Sequence, residues 1–372
     1  MTFTENFEGY ELIPANIRSQ VLKARIAMYR EWGVDIMDEE TWQKREDLLE
    51  SLEFIKGNLT TWIFGLGLED GGLDFHSQFE TIRRPVFIKR KGSKNVEILD
   101  SLCIPTYTCD KEFRGKGLGI KMLQAARSKM QELCSVSILH SDVGSGFYSR
   151  YGWDSYPLIS TKISVASNQF EKSNDTLFFN KELARIISLV DSKMLRTDMS
   201  RAETNDSTVI SVVPEFGHYE WRNVRDNFEG QNCLNVKEFS ENYGVLYCGD
   251  QTEAILRSKF SESLLDGVAP ECPSFIMWTH RFKENSLLSL RARINHIDHI
   301  VPLINAALQE AKSCSLSKIE FWNFQTEFLG FLEEKFNVES IVMKKSLPCL
   351  ALFDKNPDEK IEWLLNEQVS FV

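Results

Sequence analysis

The sequence predicts an α+β protein, a mixed sheet with helices on both faces followed by a second α+β domain. Three observations predict it. Several strands precede a Gly-rich loop at residues 114–119 and the amphipathic helix after it, which excludes a doubly wound order. The β-β-α-β-α-β succession running from Phe79 to Val165 returns in the C-terminal half, so the second domain reads as a degenerate copy of the first. The chain has 372 residues, more than one ordinary core organises.

The first strand is expected at residues 9–15. Apolar residues at helical spacing (Ile17, Val21, Ile26, Met28) predict a helix over 16–32, and a second helix over 38–54 opens on an acidic turn. The β-rich run 60–67 closes on glycine, and 79–91 and 96–109 form a pair of long antiparallel strands. A helix over 117–134, a strand over 135–139, a brief helix over 146–151 and a strand over 156–165 complete a domain spanning 1–166. The polar patch 167–175, a helix over 179–195 and the loose region 201–207 make a linker segment of 167–207. In the C-terminal domain, 208–372, strands are expected at 243–248, 274–281 and 286–294. A helix over 299–312, a strand over 318–323, a helix over 327–336 and one strand over 338–353 follow.

The net charge of −11 speaks against a nucleic-acid or anionic-membrane partner, both of which demand a positive surface. The eight cysteines contain no C-x-x-C pair, which speaks against a zinc site and fits small buried residues in a reducing compartment. The polar, acidic stretch Met1–Tyr10 does not read as a secretory signal, and no apolar run reaches the length of a membrane span. The expected location is the cytosol, with or without the nucleus. His296 and His299 around Asp298 read as loop polarity, and no metal is expected.

The chemistry concentrates in Arg114-Gly115-Lys116-Gly117-Leu118-Gly119, an R-x-x-G-x-G loop between a strand and a helix. Glycines let the backbone turn tightly and bring bare amides to a ligand, and the helix start adds unpaired N–H groups and a positive dipole end. Between Asp110 and Arg127 five basic residues stand against two acidic ones, a local balance of +3 in an acidic protein. No G-x-x-x-x-G-K-[ST] pattern is present. Further on stands Gly146-Phe147-Tyr148-Ser149-Arg150-Tyr151-Gly152-Trp153.

The loop resembles the acetyl-CoA site of the GNAT superfamily of N-acetyltransferases, and the second motif resembles that superfamily's F-Y-x-x-x-G-F/W. Within it, Phe79-Glu80-Thr81-Ile82-Arg83-Arg84-Pro85 and Ser141-Asp142-Val143-Gly144 are similar to segments of the fungal lysine N6-acetyltransferase-like family. The strand before the loop departs from that family's usual Ser-Val-Phe-Thr-x-Pro, reading Thr106-Tyr107-Thr108-Cys109-Asp110-Lys111.

The resemblance implies a GNAT-type fold and direct transfer of acetyl from acetyl-CoA to a primary amine in a ternary complex. It implies that backbone groups of Tyr107, Thr108 and Cys109 meet the pantetheine arm, and that Arg114, Gly115, Lys116, Gly117, Leu118 and Gly119 hold the pyrophosphate. Tyr148 is the implied general acid. Asp100 and Glu80 are the two candidate bases, with relay through water as the third route. The implied acceptor is the side-chain amine of L-lysine, its carboxylate meeting Arg83 or Arg84. The alternatives are a protein, peptide or polyamine acceptor, and a non-catalytic acyl-CoA-binding regulatory protein on the same fold. Oligomeric state is not legible.

Overall fold

The computed structural model describes residues 7–203, 206–251, 253–265, 272–356 and 358–372. Of the acidic start and the loose region 201–207, residues 1–6 and 204–205 lie outside the described residues. Along the chain run β1 (Glu11–Pro14), α1 (Arg18–Met28), α2 (Glu39–Ser51), β2 (Leu59–Leu66), β3 (Asp74–Lys89), β4 (Glu97–Ile104) and β5 (Tyr107–Cys109). Then come α3 (Leu118–Leu133), β6 (Val136–Ser141), α4 (Ser145–Ser149), β7 (Asp154–Ser155), β8 (Ile159–Ser164), β9 (Thr176–Phe179), α5 (Lys181–Arg201), β10 (Ser207–Val212) and α6 (Phe216–Leu234). The remainder is β11 (Gly244–Tyr247), α7 (Glu253–Leu265), β12 (Phe275–Arg281), β13 (Ser286–Arg293), α8 (Ile300–Ser313), β14 (Lys318–Trp322), α9 (Thr326–Lys335), β15 (Val338–Val342), β16 (Leu347–Leu352) and β17 (Lys360–Leu364).

Local chemistry explains where the helices start. The Asp38 carboxylate accepts from the Thr41 amide at 2.7 Å and opens α2, and Asn180 caps α5 through the Leu183 amide at 3.1 Å. Helix α3 turns Leu118, Met122, Leu123, Ala126 and Met130 inward, where they pack with Phe79, Leu102, Ile104 and Leu139 of the sheet.

Two mixed sheets result, and they share one plan. The first runs β1-β2-β3-β4-β6-β16-β7, with β5 and β10 also on β3 and β17 beyond β10. The second, read from its other end, runs β9-β11-β12-β13-β14-β8-β15. Along each strand order an antiparallel run meets one parallel pair, β4 with β6 and β13 with β14; off this path β10 and β17 are parallel as well. A helix, α3 or α8, makes the crossover between the paired strands. The expected second copy is therefore present.

The sixth strand of each sheet is exchanged. Strand β8 leaves the N-terminal half to lie between β14 and β15, while β16 returns to lie between β6 and β7. The two sheets accordingly do not divide the chain at residue 166: the expected strand 156–165 belongs to the second sheet, and β16 and β10 of the C-terminal segment belong to the first. The expected single strand 338–353 is two strands, broken at Met343–Ser346 where the chain crosses between sheets and Ser346 takes a φ of +53°. Alternation along a strand reports that it is a strand and which face is buried, and carries no information on which sheet receives it. Helices α6 and α7 and strands β10 and β17 were not expected.

Candidate active site

Strands β4 and β6 pair in parallel from Ser101↔Val136 to Ile104↔Leu139 and then part. Beyond that point β6 continues against β16 out to Ser141, and the chain after Pro105 continues along β3 as β5. A notch opens between β5 and β6. The Thr106 carbonyl accepts from the Glu80 amide (3.2 Å), and the Asp110 amide donates to the His76 carbonyl (2.8 Å). By the alternation of an antiparallel ladder, Thr106, Thr108 and Asp110 face β3, whereas the backbone groups of Tyr107 and Cys109 turn toward the notch. Thr108 is thus engaged elsewhere: its carbonyl accepts from the Ser77 hydroxyl at 3.0 Å and its own hydroxyl meets Gln78. Of the three expected pantetheine partners, Tyr107 and the Cys109 amide keep that geometry, the Cys109 carbonyl accepts from Arg114, and Thr108 faces β3.

The Gly-rich loop closes one end of the notch. Gly115 (φ +76°) and Gly117 (φ +100°) both take the left-handed conformation, and Gly117 is the N-cap of α3, with no side-chain cap on the helix's first amides. A Cβ at Gly115 would meet nothing within 4 Å, so glycine is required there for the turn rather than for space. A Cβ at Gly119 would touch the Cys109 Cβ at 3.8 Å, an ordinary contact. Arg114 spans the Cys109 carbonyl (2.8 Å) and Glu31 (2.6 Å), and the Tyr107 hydroxyl donates to the Gly119 carbonyl. Unpaired helix-start amides, two left-handed glycines and an outward-turned strand edge fit a pyrophosphate with a pantetheine arm.

Beside the notch lies a cavity of about 580 Å³ whose wall includes Glu80, Thr106, Tyr107 and Tyr148. Tyr148 is buried on the short α4, its ring edge-on to Tyr107 with centroids 6.1 Å apart. Burial, then the nearby Cys349 and Asp142, pushes the Tyr148 phenol well above its ordinary range, so it stays protonated through neutral pH. Glu80 accepts from the Thr106 hydroxyl at 3.1 Å and from Thr61 at 3.5 Å. Burial and the charge of Glu46 push its carboxyl up to about 7, against the opposing Thr106 hydrogen bond.

Asp100 stands outside this cavity, exposed and ion-paired to Arg83 at 2.8 Å. The two candidate bases therefore separate: Glu80 shares the cavity with Tyr148 and Asp100 does not. Arg83, held by Asp100, faces solvent as well, and Arg84 is fully buried away from the cavity wall, donating to the Val369 carbonyl at 2.8 Å. The adjacent His140, Ser141 and Asp142 point to different partners: the Ser141 hydroxyl donates to Gly144 and Asp142 accepts from the Ser346 amide. Sequence reasoning missed Glu46 and Glu50 of α2 and Trp221 and Arg222 of α6, which complete the wall. Their spacing carries no motif, and only tertiary packing brings them to Glu80. Among the described residues His280 of β12 and Glu310 and Cys314 at the end of α8 also form a group, none of them in this cavity's wall, with His280 and Glu310 hydrogen-bonded at 2.9 Å.

The family described as the LYC1 GNAT-like C-terminal domain matches residues 160–372. A lysine acetyltransferase of Yarrowia lipolytica is 21% identical over 358 residues, covering 83% of this chain and 83% of that protein. Among solved structures, a probable N-acyltransferase from Enterococcus faecalis superposes with a TM-score of 0.54 at 11% identity, over 92% of this chain and 71% of that one. A GCN5-related N-acetyltransferase from Kribbella flavida gives 0.51 at 9%, over 93% and 72%. The fold and the notch define a GNAT-type protein. The chain belongs to the LYC1 GNAT-like family and is an acetyl-CoA-dependent N-acetyltransferase.

Proposed function

We propose that the enzyme acetylates the N6 amine of free L-lysine, with Glu80 as the base and Tyr148 as the acid. The observation that carries this reading is the convergence of the two groups on one cavity beside the notch. The name of the Yarrowia lipolytica relative supports lysine as acceptor.

Acetyl-CoA supplies the acetyl group as a thioester. The notch edge at Tyr107 and Cys109 and the loop Arg114–Gly119 hold it, the loop amides facing the pyrophosphate. A lysine side chain arrives as an ammonium, which has no lone pair and must lose a proton before attack. A carboxyl titrating near 7 suits that proton transfer, being half ionised at neutral pH and basic enough to take the proton. The amine nitrogen then forms the amide bond as the carbon–sulfur bond breaks; the Tyr148 hydroxyl donates its proton to the departing sulfur, and the second proton that the nitrogen sheds returns to the Tyr148 oxygen through solvent. Glu46 and Glu50 stand on the same wall, already ion-paired to Arg45 and Arg25 respectively, which leaves Glu80 as the carboxyl for the amine.

The test is free-thiol release from acetyl-CoA with L-lysine, other amino acids, polyamines and lysine peptides. Selective turnover of L-lysine, lowered about 10²- to 10⁴-fold in Tyr148→Phe with acetyl-CoA binding unchanged, is expected. Tight acetyl-CoA binding without turnover of any amine would favour the regulatory alternative.

A further inference from the structure

The wall of the cavity that Glu80 lines also contains a buried cation without a hydrogen-bonded partner among the described residues. Arg222, on α6, is 4% exposed and lines the cavity. Among the described residues it makes no hydrogen bond or ion pair, and its Nε is buried without a partner. Of the other cations on this wall, Arg225 and Arg45 both bond Glu229 and Arg281 bonds Glu284, while Lys283 is exposed. The nearest carboxylate on its own helix, Asp226, accepts from the Thr279 hydroxyl at 2.7 Å instead. The guanidinium packs near the rings of Trp221 and Phe371, with centroids 5.9 and 5.6 Å away. Burial lowers its pKa to about 10, and the charge of Asp226 offsets that only in part.

A buried, unpaired guanidinium is costly, and its planar fork matches a carboxylate bidentately. We infer that Arg222 is the recognition site for the acceptor's α-carboxylate, so that the acceptor is a free amino acid rather than a diamine or a lysine within a protein. The inference rests on the lysine reading above. It gives the two charges of the acceptor separate partners in one cavity: Glu80 for the cationic amine and Arg222 for the anionic carboxylate. It also gives the second half of the chain a part in the reaction, since α6 follows β10 and is built outside the N-terminal motifs.

The probes are L-lysine and 1,5-diaminopentane, the same chain without the carboxylate. Each is titrated calorimetrically into wild type and Arg222→Met, and each is assayed by thiol release. Wild type is expected to bind L-lysine at least about tenfold more tightly than the diamine, a difference of about 1.4 kcal/mol. In Arg222→Met the preference is expected to vanish through loss of lysine affinity, with diamine affinity held within about twofold, and Arg222→Lys is expected to restore part of it. Removing an unpaired buried charge leaves the melting temperature unchanged or raised, and Arg222→Lys serves as the second variant should the methionine form not fold. Equal affinity for both probes, no affinity for either, or equal weakening of both in Arg222→Met overturns the site. Better turnover of a lysine peptide than of L-lysine, insensitive to Arg222→Met, overturns it while leaving acetyl transfer standing. A lysine preference that depends on Arg222 without any turnover upholds the site and refutes the acetyltransfer reading instead.

Discussion

The two sheets share a strand order and each parts at its parallel pair, yet only the first presents an open notch. In the first, the strand edge at Tyr107 and Cys109 turns outward and the loop beyond it is built on left-handed glycines. In the second, β13 and β14 pair from Ser286↔Lys318 to Leu288↔Glu320 and part, but the freed edge of β13 is already bonded. The Gln325 side chain accepts from the Ile294 amide (2.8 Å) and donates to the Ile294 carbonyl (3.2 Å), and Glu367 accepts from the Ala292 amide (2.9 Å). Behind them Arg291 and Arg293 converge on the buried Asp191, at 3.0 and 2.7 Å. The loop Asn295–His299 contains no glycine, and its Asn295 amide goes to Ser274. The same architecture therefore serves two ends. One copy leaves backbone groups available to a ligand, and the other satisfies them internally and becomes scaffold.

The sharpest break of this comparison is expected from Asp191→Ala. It removes the carboxylate that two buried guanidinium groups share, leaving Arg291 with Glu367 and Arg293 with Asp198, and a loss of about 3 kcal/mol in chemical denaturation is expected, with the turnover of the remaining folded enzyme intact. Next comes Gly117→Ala, which forces an L residue into a left-handed N-cap at about 1–2 kcal/mol. The expected result is acetyl-CoA binding weakened about tenfold in a direct titration, whereas Gly119→Ala, with only an ordinary contact to make, stays near wild type. The smallest effect belongs to Gln325→Ala, which orphans the Ile294 backbone in the second sheet. It is expected to cost about 1 kcal/mol of stability and to leave kcat/KM unchanged. Loss of acetyl-CoA affinity in this variant would show that the second notch is not closed scaffold.

Much of the site was legible because motif and element coincide. The loop 114–119 sits at the start of α3, and Tyr148 sits on α4, as the sequence places them. Glu80 was named as one of two acids, and what separates it from Asp100 is β-sheet facing: Asp100 pairs outward with Arg83 while Glu80 faces α2. Thr108 was misassigned because the alternation of backbone groups depends on a register that only the pairing with Gln78 fixes. The exchange of β8 and β16 was illegible for a further reason. Each is a short strand flanked by coil, and its partner is selected by long-range packing rather than by its own pattern. Arg222 lies on a helix that periodicity did not reveal, and its importance comes from a missing partner, which no sequence displays.

The most direct test of the central claim is the pH dependence of kcat/KM for L-lysine in wild type and Glu80→Gln. As the proposed base, Glu80 would act in its ionised form, and burial raises its pKa, so activity is expected to fall as pH drops through that value. In wild type, kcat/KM is expected to rise with unit slope up to about pH 7 and then level off. In Glu80→Gln that plateau is expected to disappear, leaving a lower rate that climbs toward the pKa of the amine itself, about 10.4. A wild-type profile retained in Glu80→Gln, with the same break near 7 and a comparable rate, would contradict the assignment.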